Sequence, residues 1–267
     1  MSYLSVVVAG RNDGYGGDFI GRCLNFTSVI KELSLKHYLN VEILFVEWNP
    51  LSNQESISKL LPGVVVIRVP YEIHSTFSNS DVIPVFEYIA KNVGVRRANG
   101  EYILCTNPDI IMSEEMIARL AQRDLSPDYF YRADRYDLVG EVPTDRSALE
   151  KLRLCDLLIG EVQRQEPTKD FHYNASGDFL LMAKSRWFEL RGYPEYTTSS
   201  HIDSYLVYIA NRHGLKQVVL QEKVYHQPHG VGLSGRPKTK WDPESLPQFV
   251  NTENWGLNNY ALSIEKR

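Results

Sequence analysis

Residues 90–109 read AKNVGVRRANGEYILCTNPD, and this stretch decides the fold that the sequence predicts. Its first part completes a helix predicted over 83–97, in which apolar residues recur at helical spacing. A strand predicted over 101–106 follows and runs into an Asn-Pro-Asp sequence. Pro108 has no backbone N–H and keeps the residue before it extended, so strand pairing stops there. Asp109 is therefore presented at the rim of the predicted sheet.

The same alternation of strands and helices extends outward from this stretch. The predicted strands span 4–9, 41–48, 63–70, 101–106, 129–134, 179–183 and 216–221, and the predicted helices span 18–38, 83–97, 113–122 and 202–214. Strands that are apolar on both faces and separated by helices predict an α/β fold with a mostly parallel sheet covered on each side. The polar stretch 141–175 is interpreted as a variable excursion, and the tail from 223 as loop.

Composition and charge exclude several classes of protein. The chain has 267 residues, 43% hydrophobic and 23% charged, which is ordinary for a globular domain. A net charge of -4 gives no broad basic surface, so no nucleic-acid partner is expected. Three cysteines without a CxxC pair indicate a reducing compartment, and a cytoplasmic location is expected. No apolar run is long enough to predict a transmembrane segment or a signal sequence.

Polar residues gather where the predicted strands end, at the sheet edge where ligands of open α/β sheets bind. They are Arg11, Asn12 and Asp13 after the first strand, Glu47 at the end of the second, and Asn107 and Asp109 after the fourth. By composition alone, Asn-Pro-Asp is more typical of a simple turn than of a cation site. The glycine-rich stretch 14–21 fits neither GxGxxG nor a P-loop, so it predicts a flexible turn.

The stretch 90–109 resembles the central signature of family 2 glycosyltransferases of the GT-A type, in which an Ala-Arg-Asn-x-Gly pattern precedes Ala-x-Gly-Glu-Tyr, an apolar strand and Asp-x-Asp. The matching positions are Ala90, Lys91, Asn92, Gly94, Ala98, Gly100, Glu101 and Tyr102. Asn107 replaces the first Asp of Asp-x-Asp, and Asp109 matches the second. Residues 176–195, 201–214 and 224–230 resemble the acceptor-side segment, the helix that bears the base, and the Tyr-His-Gln segment of metal-dependent members.

The resemblance implies a single GT-A domain over residues 1–267. Residues 1–110 would form the half that binds a nucleotide sugar, residues 111–230 the acceptor-binding half, and residues 231–267 a loop-rich tail. It also implies an inverting glycosyltransferase that moves a sugar from a nucleotide-diphosphate sugar, with UDP as the expected nucleotide, to a hydroxyl of a glycan or another acceptor. A divalent cation would stabilise the leaving diphosphate, and an imidazole ligand favours Mn²⁺ over Mg²⁺.

The resemblance also implies roles for individual residues. Asp109 and His226 are the expected metal ligands, and His229 is the alternative imidazole. Asp203, at the start of a predicted helix, is the expected general base, and Asp178 is expected near acceptor hydroxyls. The residues expected to bind the donor are Ala9, Arg11, Asn12, Glu47, Lys91, Asn107 and Asp109. Ordinary structural roles stay open as alternatives, namely a loop histidine, a helix N-cap and a turn cap.

Two other functions remain as alternatives. A sugar-phosphate nucleotidyltransferase would use a similar sheet and metal carboxylate, although the first turn fits the loop of those enzymes poorly. A non-catalytic carbohydrate-binding module is suggested by 16 tyrosines and 4 tryptophans. Turnover of a nucleotide sugar that requires Mn²⁺ or Mg²⁺ would favour the glycosyltransferase. The sugar, the acceptor and the oligomeric state are not predicted.

Overall fold

A ten-stranded sheet with helices on both faces forms the centre of the molecule. The structure is a computed structural model that describes residues 2–164, 172–173, 175–230, 235–247 and 249–266. The strands are β1 (Leu4–Gly10), β2 (Val41–Trp48), β3 (Val65–Val69), β4 (Tyr102–Cys105), β5 (Ile110–Met112), β6 (Tyr129–Leu138), β7 (Ile159–Gln163), β8 (Leu180–Ala183), β9 (Lys216–His226) and β10 (Ser263–Lys266). The helices are α1 (Phe19–Lys36), α2 (Ile57–Leu60), α3 (Tyr71–His74), α4 (Glu87–Arg97), α5 (Glu114–Ala121), α6 (Ala148–Leu157), α7 (Lys184–Leu190) and α8 (Ile202–Arg212).

The strand order is β10-β3-β2-β1-β4-β8-β6-β9-β5, and β7 pairs with β6. Strands β3, β2, β1 and β4 are parallel, as the sequence predicts for the first half. In the second half β6 and β9 are parallel, but β8 runs antiparallel to both β4 and β6, and β5 runs antiparallel to β9. A strand buried on both faces has the same composition in either direction, so its sequence does not report this mixture.

Side chains of β1 alternate between two apolar layers. Leu4, Val6 and Val8 pack on the face covered by α1, α5 and α6. Val7 and Ala9 pack on the opposite face, which α4, α7 and α8 cover. The period of two along a strand produces this division into two layers.

Regular structure extends beyond the predicted elements. The excursion contains α6, whose capping box pairs Ser147 with Glu150, and it also contains β7. Residues 165–171 and 174 of that excursion lie outside the described residues. Strand β9 runs on to His226 and β10 pairs antiparallel with β3, although the sequence predicted loop there. No described helix has the length and apolar character that a membrane crossing requires.

Candidate active site

A tight turn carries Asp109 away from the end of β4. The backbone N–H of Ile110 donates to the carbonyl of Asn107 at 3.1 Å, and Pro108 occupies the second position of the turn, where its fixed φ is favourable. Strand β5 begins immediately afterwards, at Ile110. Through this turn the chain passes from β4, which pairs with β1 and β8, to β5, which pairs with β9. The turn also places the Asp109 carboxylate at the sheet edge.

Strand register brings His226 to the same place. His226 is the last residue of β9, and its Cα pairs with that of Ile110 in β5 on one side and that of Asp137 in β6 on the other. Just beyond the strand, the Gln227 N–H donates to the carbonyl of Asp109 at 3.0 Å. His226 therefore lies between two carboxylates that are distant in sequence.

His229 completes a group of three side chains that we call the metal triad: Asp109, His226 and His229. One ligand atom from each lies within 4.8 Å of the others. The Asp109 Oδ2 atom is 3.3 Å from His229 Nε2 and 3.9 Å from His226 Nε2, and the two Nε2 atoms are 3.2 Å apart. The sequence assigned the imidazole to His226 with His229 as the alternative, and the structure brings both to Asp109.

A hydrogen-bond acceptor lies beside the Nδ1 atom of each imidazole ring. His226 Nδ1 is 2.8 Å from a carboxylate oxygen of Asp137, and His229 Nδ1 is 2.7 Å from the carbonyl oxygen of Gly230. Because both of these oxygens accept hydrogen bonds, we assign the ring proton to Nδ1 in each histidine. Each Nε2 atom then has a lone pair that a cation held by the metal triad would use.

The metal triad has the donor set of a divalent cation site. Two imidazole nitrogens and one carboxylate oxygen converge, and Asp109 Oδ1 is buried without a hydrogen-bond partner among the described residues. Burial raises the pKa of the Asp109 carboxyl, and the two neighbouring histidines act in the opposite direction. Mixed imidazole and carboxylate ligands suit Mn²⁺, so these residues fit the metal that the resemblance implies.

A cavity of about 340 Å³ opens beside the metal triad. Its wall includes Ala9, three arginines (Arg11, Arg135 and Arg236) and Asp178. The size lies in the range of small-molecule sites. Arg11 pairs with Asp13 and Arg135 with Asp178, each at 2.8 Å, whereas the Nε atom of Arg236 is buried without a hydrogen-bond partner among the described residues. Arg236 is therefore the guanidinium that best suits an anionic ligand, and a diphosphate is one that arginine binds through paired hydrogen bonds.

The glycine-rich turn after β1 lies directly over the metal triad. Gly16 has a left-handed φ of 65°, and a Cβ atom there would be 2.8 Å from the Cβ atom of His229. The Gly230 N–H donates to the Gly16 carbonyl at 3.2 Å, and the Tyr15 ring is 5.4 Å from the His229 ring. Glycine is required here because backbone approaches side chain closely. The predicted flexible turn therefore has a specific packing role.

Lys91 is fully buried and holds together three segments beside the cavity. Its ammonium group donates to Glu87 Oε1 at 2.7 Å, to Asn107 Oδ1 at 2.7 Å and to the Gly177 carbonyl at 2.9 Å. The Asn107 amide also donates to Asp178 Oδ1 at 2.8 Å. The three bonds of Lys91 hold α4, the Asn-Pro-Asp turn and the 175–178 turn together.

Asp203 lies behind the 175–178 turn, and it is not among the described residues that line the cavity. Its Oδ2 atom accepts a hydrogen bond from the Gly177 N–H at 2.7 Å, next to Asp178. Burial raises the pKa of the Asp203 carboxyl, and the nearby charge of Glu87 contributes in the same direction. A carboxylate with a raised pKa is a stronger base than an exposed aspartate.

The backbone just before Asp203 is strained. Ser200 and His201 have φ values of 74° and 61°, in the left-handed region that non-glycine residues seldom adopt. Strain of this kind costs about 1–3 kcal/mol per residue and clusters at functional sites. Helix α8 starts at Ile202, so the strained pair sets the direction in which the first turn of α8 presents Asp203.

Two residues expected to bind the donor have other partners. Glu47 is buried, and its carboxylate accepts from the Ile57 N–H at 3.0 Å and pairs with Arg68 at 3.0 Å. Asn12 donates its side-chain amide to the Glu55 carbonyl at 2.9 Å. Both side chains organise the segment that follows β2, and the structure does not place them on the described wall of the cavity.

Arg135 and Asp137 are site residues that the sequence prediction missed. They lie two positions apart on β6 and share one face, where an ion pair of 3.0 Å joins them. The strand was predicted only over 129–134, and the alternation of charges beyond its end was the available signal. Arg236 was also missed, because it lies in the tail that was predicted as loop.

No protein-family model matches this chain, and no curated protein sequence matches it significantly. Two solved structures are similar to this chain. One is the catalytic domain of Drosophila β1,4-galactosyltransferase 7, in complex with xylobiose: the TM-score is 0.50 and the identity 9%, over 94% of this chain and 82% of that one. The other is the 1–349 fragment of TarS from S. aureus: the TM-score is 0.52 and the identity 15%, over 85% of this chain and 60% of the TarS chain.

The chain has a GT-A glycosyltransferase fold. This outcome confirms the fold that the signature at 90–109 predicts. At identities of 9% and 15% the likeness establishes the GT-A fold, and the reaction has to be inferred from the residues of the cavity. In this GT-A fold the metal triad lies beyond the carboxyl ends of β1 and β4, the edge where open α/β sheets bind ligands.

Proposed function

We propose that the protein is a metal-dependent, inverting glycosyltransferase that moves a sugar from a UDP-sugar to a hydroxyl group of a glycan. The convergence of Asp109, His226 and His229 beside a cavity with three arginines carries this proposal. The GT-A fold supports it, because the metal triad occupies the strand edge at which ligands of such sheets bind.

The metal triad would hold Mn²⁺, with Mg²⁺ as the alternative. A divalent cation bound there would offset the negative charge that develops on the leaving diphosphate. Arg236 would add to this effect, since its Nε atom is buried and has no hydrogen-bond partner among the described residues. Guanidinium groups bind diphosphate oxygens through charge-assisted hydrogen bonds.

We assign the residues expected at the donor according to their surroundings. Ala9 and Arg11 line the cavity and would contact the donor directly. Lys91 and Asn107 would act through the hydrogen bonds that hold the Asn-Pro-Asp turn in place. Glu47 would act at a distance, by fixing the segment after β2.

On the acceptor side, Asp178 lines the cavity and would bind acceptor hydroxyls. Asp203, partly exposed behind the 175–178 turn, would remove the proton of a hydroxyl that approaches from that turn. The raised pKa of Asp203 supports the assignment, because a base should hold the proton as it leaves the hydroxyl. Attack from the side opposite to the leaving diphosphate inverts the anomeric carbon. Arg135 pairs with Asp178 at 2.8 Å and would orient it toward the cavity.

The decisive experiment measures nucleotide release from a panel of nucleotide sugars, with glycan acceptors, in Mn²⁺, Mg²⁺ or EDTA. We expect release from a UDP-sugar that requires the metal. Asp109→Asn and His229→Gln should both reduce this nucleotide release. The reduction should exceed about 10–100-fold, which is the usual effect of losing a residue that only supports a metal ligand. His37→Gln is the matched control, because His37, just beyond the end of α1, pairs with Glu114 of α5.

The same panel distinguishes the other functions. Equal release in EDTA would overturn the role of the metal. Formation of a nucleotide sugar from a sugar phosphate and a nucleoside triphosphate would identify a nucleotidyltransferase instead. Glycan binding without turnover of any donor would identify a carbohydrate-binding module.

A further inference from the structure

The Nδ1 atom of His226 forms a hydrogen bond with a carboxylate that lies outside the metal triad. We propose that Asp137 is the positioning residue of His226: it fixes the ring proton on Nδ1 and strengthens Nε2 as a metal ligand. This inference rests on the proposed function in one respect, since it takes the metal triad to bind a divalent cation.

The position of Asp137 follows from strand register. Strands β6 and β9 are parallel, and their pairing is irregular between Ala133 and Arg135. Beyond that irregularity, Asp137 and His226 are direct partners across the two strands. Asp137 Oδ1 lies 2.8 Å from His226 Nδ1, which is hydrogen-bond distance. Rigid strands thus hold both partners of the bond.

Arg135 keeps Asp137 in place. The Arg135 Nε atom is 3.0 Å from Asp137 Oδ1, and one terminal nitrogen is 3.1 Å from Asp137 Oδ2. The other terminal nitrogen of Arg135 is 2.8 Å from Asp178 Oδ2. One guanidinium therefore orients the carboxylate behind His226 and a carboxylate of the acceptor side.

The two histidines of the metal triad provide an internal comparison. The Nδ1 atom of His229 faces the neutral carbonyl of Gly230, whereas that of His226 faces a carboxylate. A carboxylate partner makes the imidazole more basic and fixes its tautomer more firmly than a carbonyl does. His226 is accordingly the stronger of the two imidazole ligands, and its strength depends on Asp137.

Direct titration with Mn²⁺ alone, followed by electron paramagnetic resonance, tests this role without any donor or acceptor. We expect Asp137→Ala to weaken Mn²⁺ binding by about 10–100-fold, and Asp137→Asn by less because the amide keeps an acceptor oxygen. Asp156→Asn is the matched control. Asp156 accepts from Lys223 and Tyr225, which lie beside His226 on β9, without touching the metal triad.

The tautomer of His226 in the metal-free protein is a second readout, which a merely structural role would not move. In ¹⁵N spectra of labelled histidine, we expect wild-type His226 to carry its proton on Nδ1. A mixture of tautomers is expected in Asp137→Ala. The spectrum of His226→Gln identifies the signal.

The outcomes separate this proposal from the proposed function. If Mn²⁺ binds to the wild type and to Asp137→Ala equally strongly, the role of Asp137 is overturned and the metal triad still stands as a cation site. A wild type that does not bind Mn²⁺ would overturn both. Weaker binding in Asp137→Ala together with a mixed tautomer, and unchanged binding in Asp156→Asn, would support the positioning role.

Discussion

Asp203 holds its carboxyl group at a partly buried position, which should favour its action as a base but lower the stability of the folded protein at neutral pH. Its pKa is raised by burial, so the folded protein binds the proton more tightly than the unfolded chain does. The resulting contribution to stability is present at low pH and is lost as the pH rises through the raised pKa. At neutral pH the ionised carboxylate therefore costs stability.

We predict that Asp203→Asn lowers the transfer rate by about 10²–10⁴-fold, the usual effect of losing a general base. The free energy of unfolding at pH 7 should stay the same or rise, because the amide has no charge to bury. Transfer kinetics and urea unfolding of the same preparation test both parts.

The matched control is Asp128→Asn, since Asp128 is largely exposed in its ion pair with Arg186. It should change neither property. In the wild type, transfer should fall as the pH drops through the raised pKa of Asp203, above the ordinary aspartate value of about 3.9. Near-normal transfer by Asp203→Asn, or a clear loss of stability, would reduce Asp203 to a structural acceptor for the Gly177 N–H.

In helix α4, several residues of the signature at 90–109 are needed for packing. A Cβ atom on Gly94 would lie 2.4 Å from Val7 Cγ1 and 3.3 Å from Val46 Cγ2, so the helix rests directly on β1 and β2. Asn92 bonds the Tyr193 backbone through both its amide and its carbonyl, at 2.9 and 2.8 Å, and donates to Glu195 at 3.0 Å. Gly94 thus sets the packing of α4 on the sheet, and Asn92 joins α4 to the segment that follows α7.

We predict that Gly94→Ala lowers the free energy of unfolding by about 1–3 kcal/mol, because the added methyl overpacks the contact with Val7. The higher helix propensity of alanine, about 1 kcal/mol, offsets part of this loss. Denaturant unfolding measures the net effect. Glu115→Ala, at an exposed position of α5, is the control and should stay within about 0.5 kcal/mol of the wild type. A stabilised Gly94→Ala protein would show that α4 can move away from the sheet.

Ligands that bind the folded protein should increase its stability through mass action. A ligand that binds only the folded state stabilises it by about 2.7 kcal/mol at a concentration of 100 times its dissociation constant. We predict that UDP with Mn²⁺ raises the midpoint of thermal unfolding more than either does alone, because the metal triad and Arg236 lie on one cavity.

The same scan with His226→Gln should lose the part of the shift that depends on Mn²⁺. If Mn²⁺ raises the midpoint of thermal unfolding equally in the wild type and in His226→Gln, the cation binds at a site other than the metal triad. The absence of any shift with a panel of nucleotide diphosphates would contradict a donor site in this cavity.

Local patterns in the sequence predicted much of this fold. Apolar runs and helical spacing identified the alternating elements of the first half, and the proline after Asn107 predicted where β4 ends. The spaced signature at 90–109 added the GT-A class, which the structure confirms. These features could be found because propensity, turn chemistry and short spacings act within a few residues of each other.

The tertiary structure alone decided which side chains meet. Gln227 and Asp109 bond across 118 positions, and the register that joins them also places His226 against Asp137 and brings His229 to Asp109. Strand direction, register and the distances between ligand atoms depend on contacts among segments far apart in the chain, which no local pattern encodes. The sequence by itself determined an α/β GT-A domain with Asp109 at its edge, and folding determined the partners of that carboxylate.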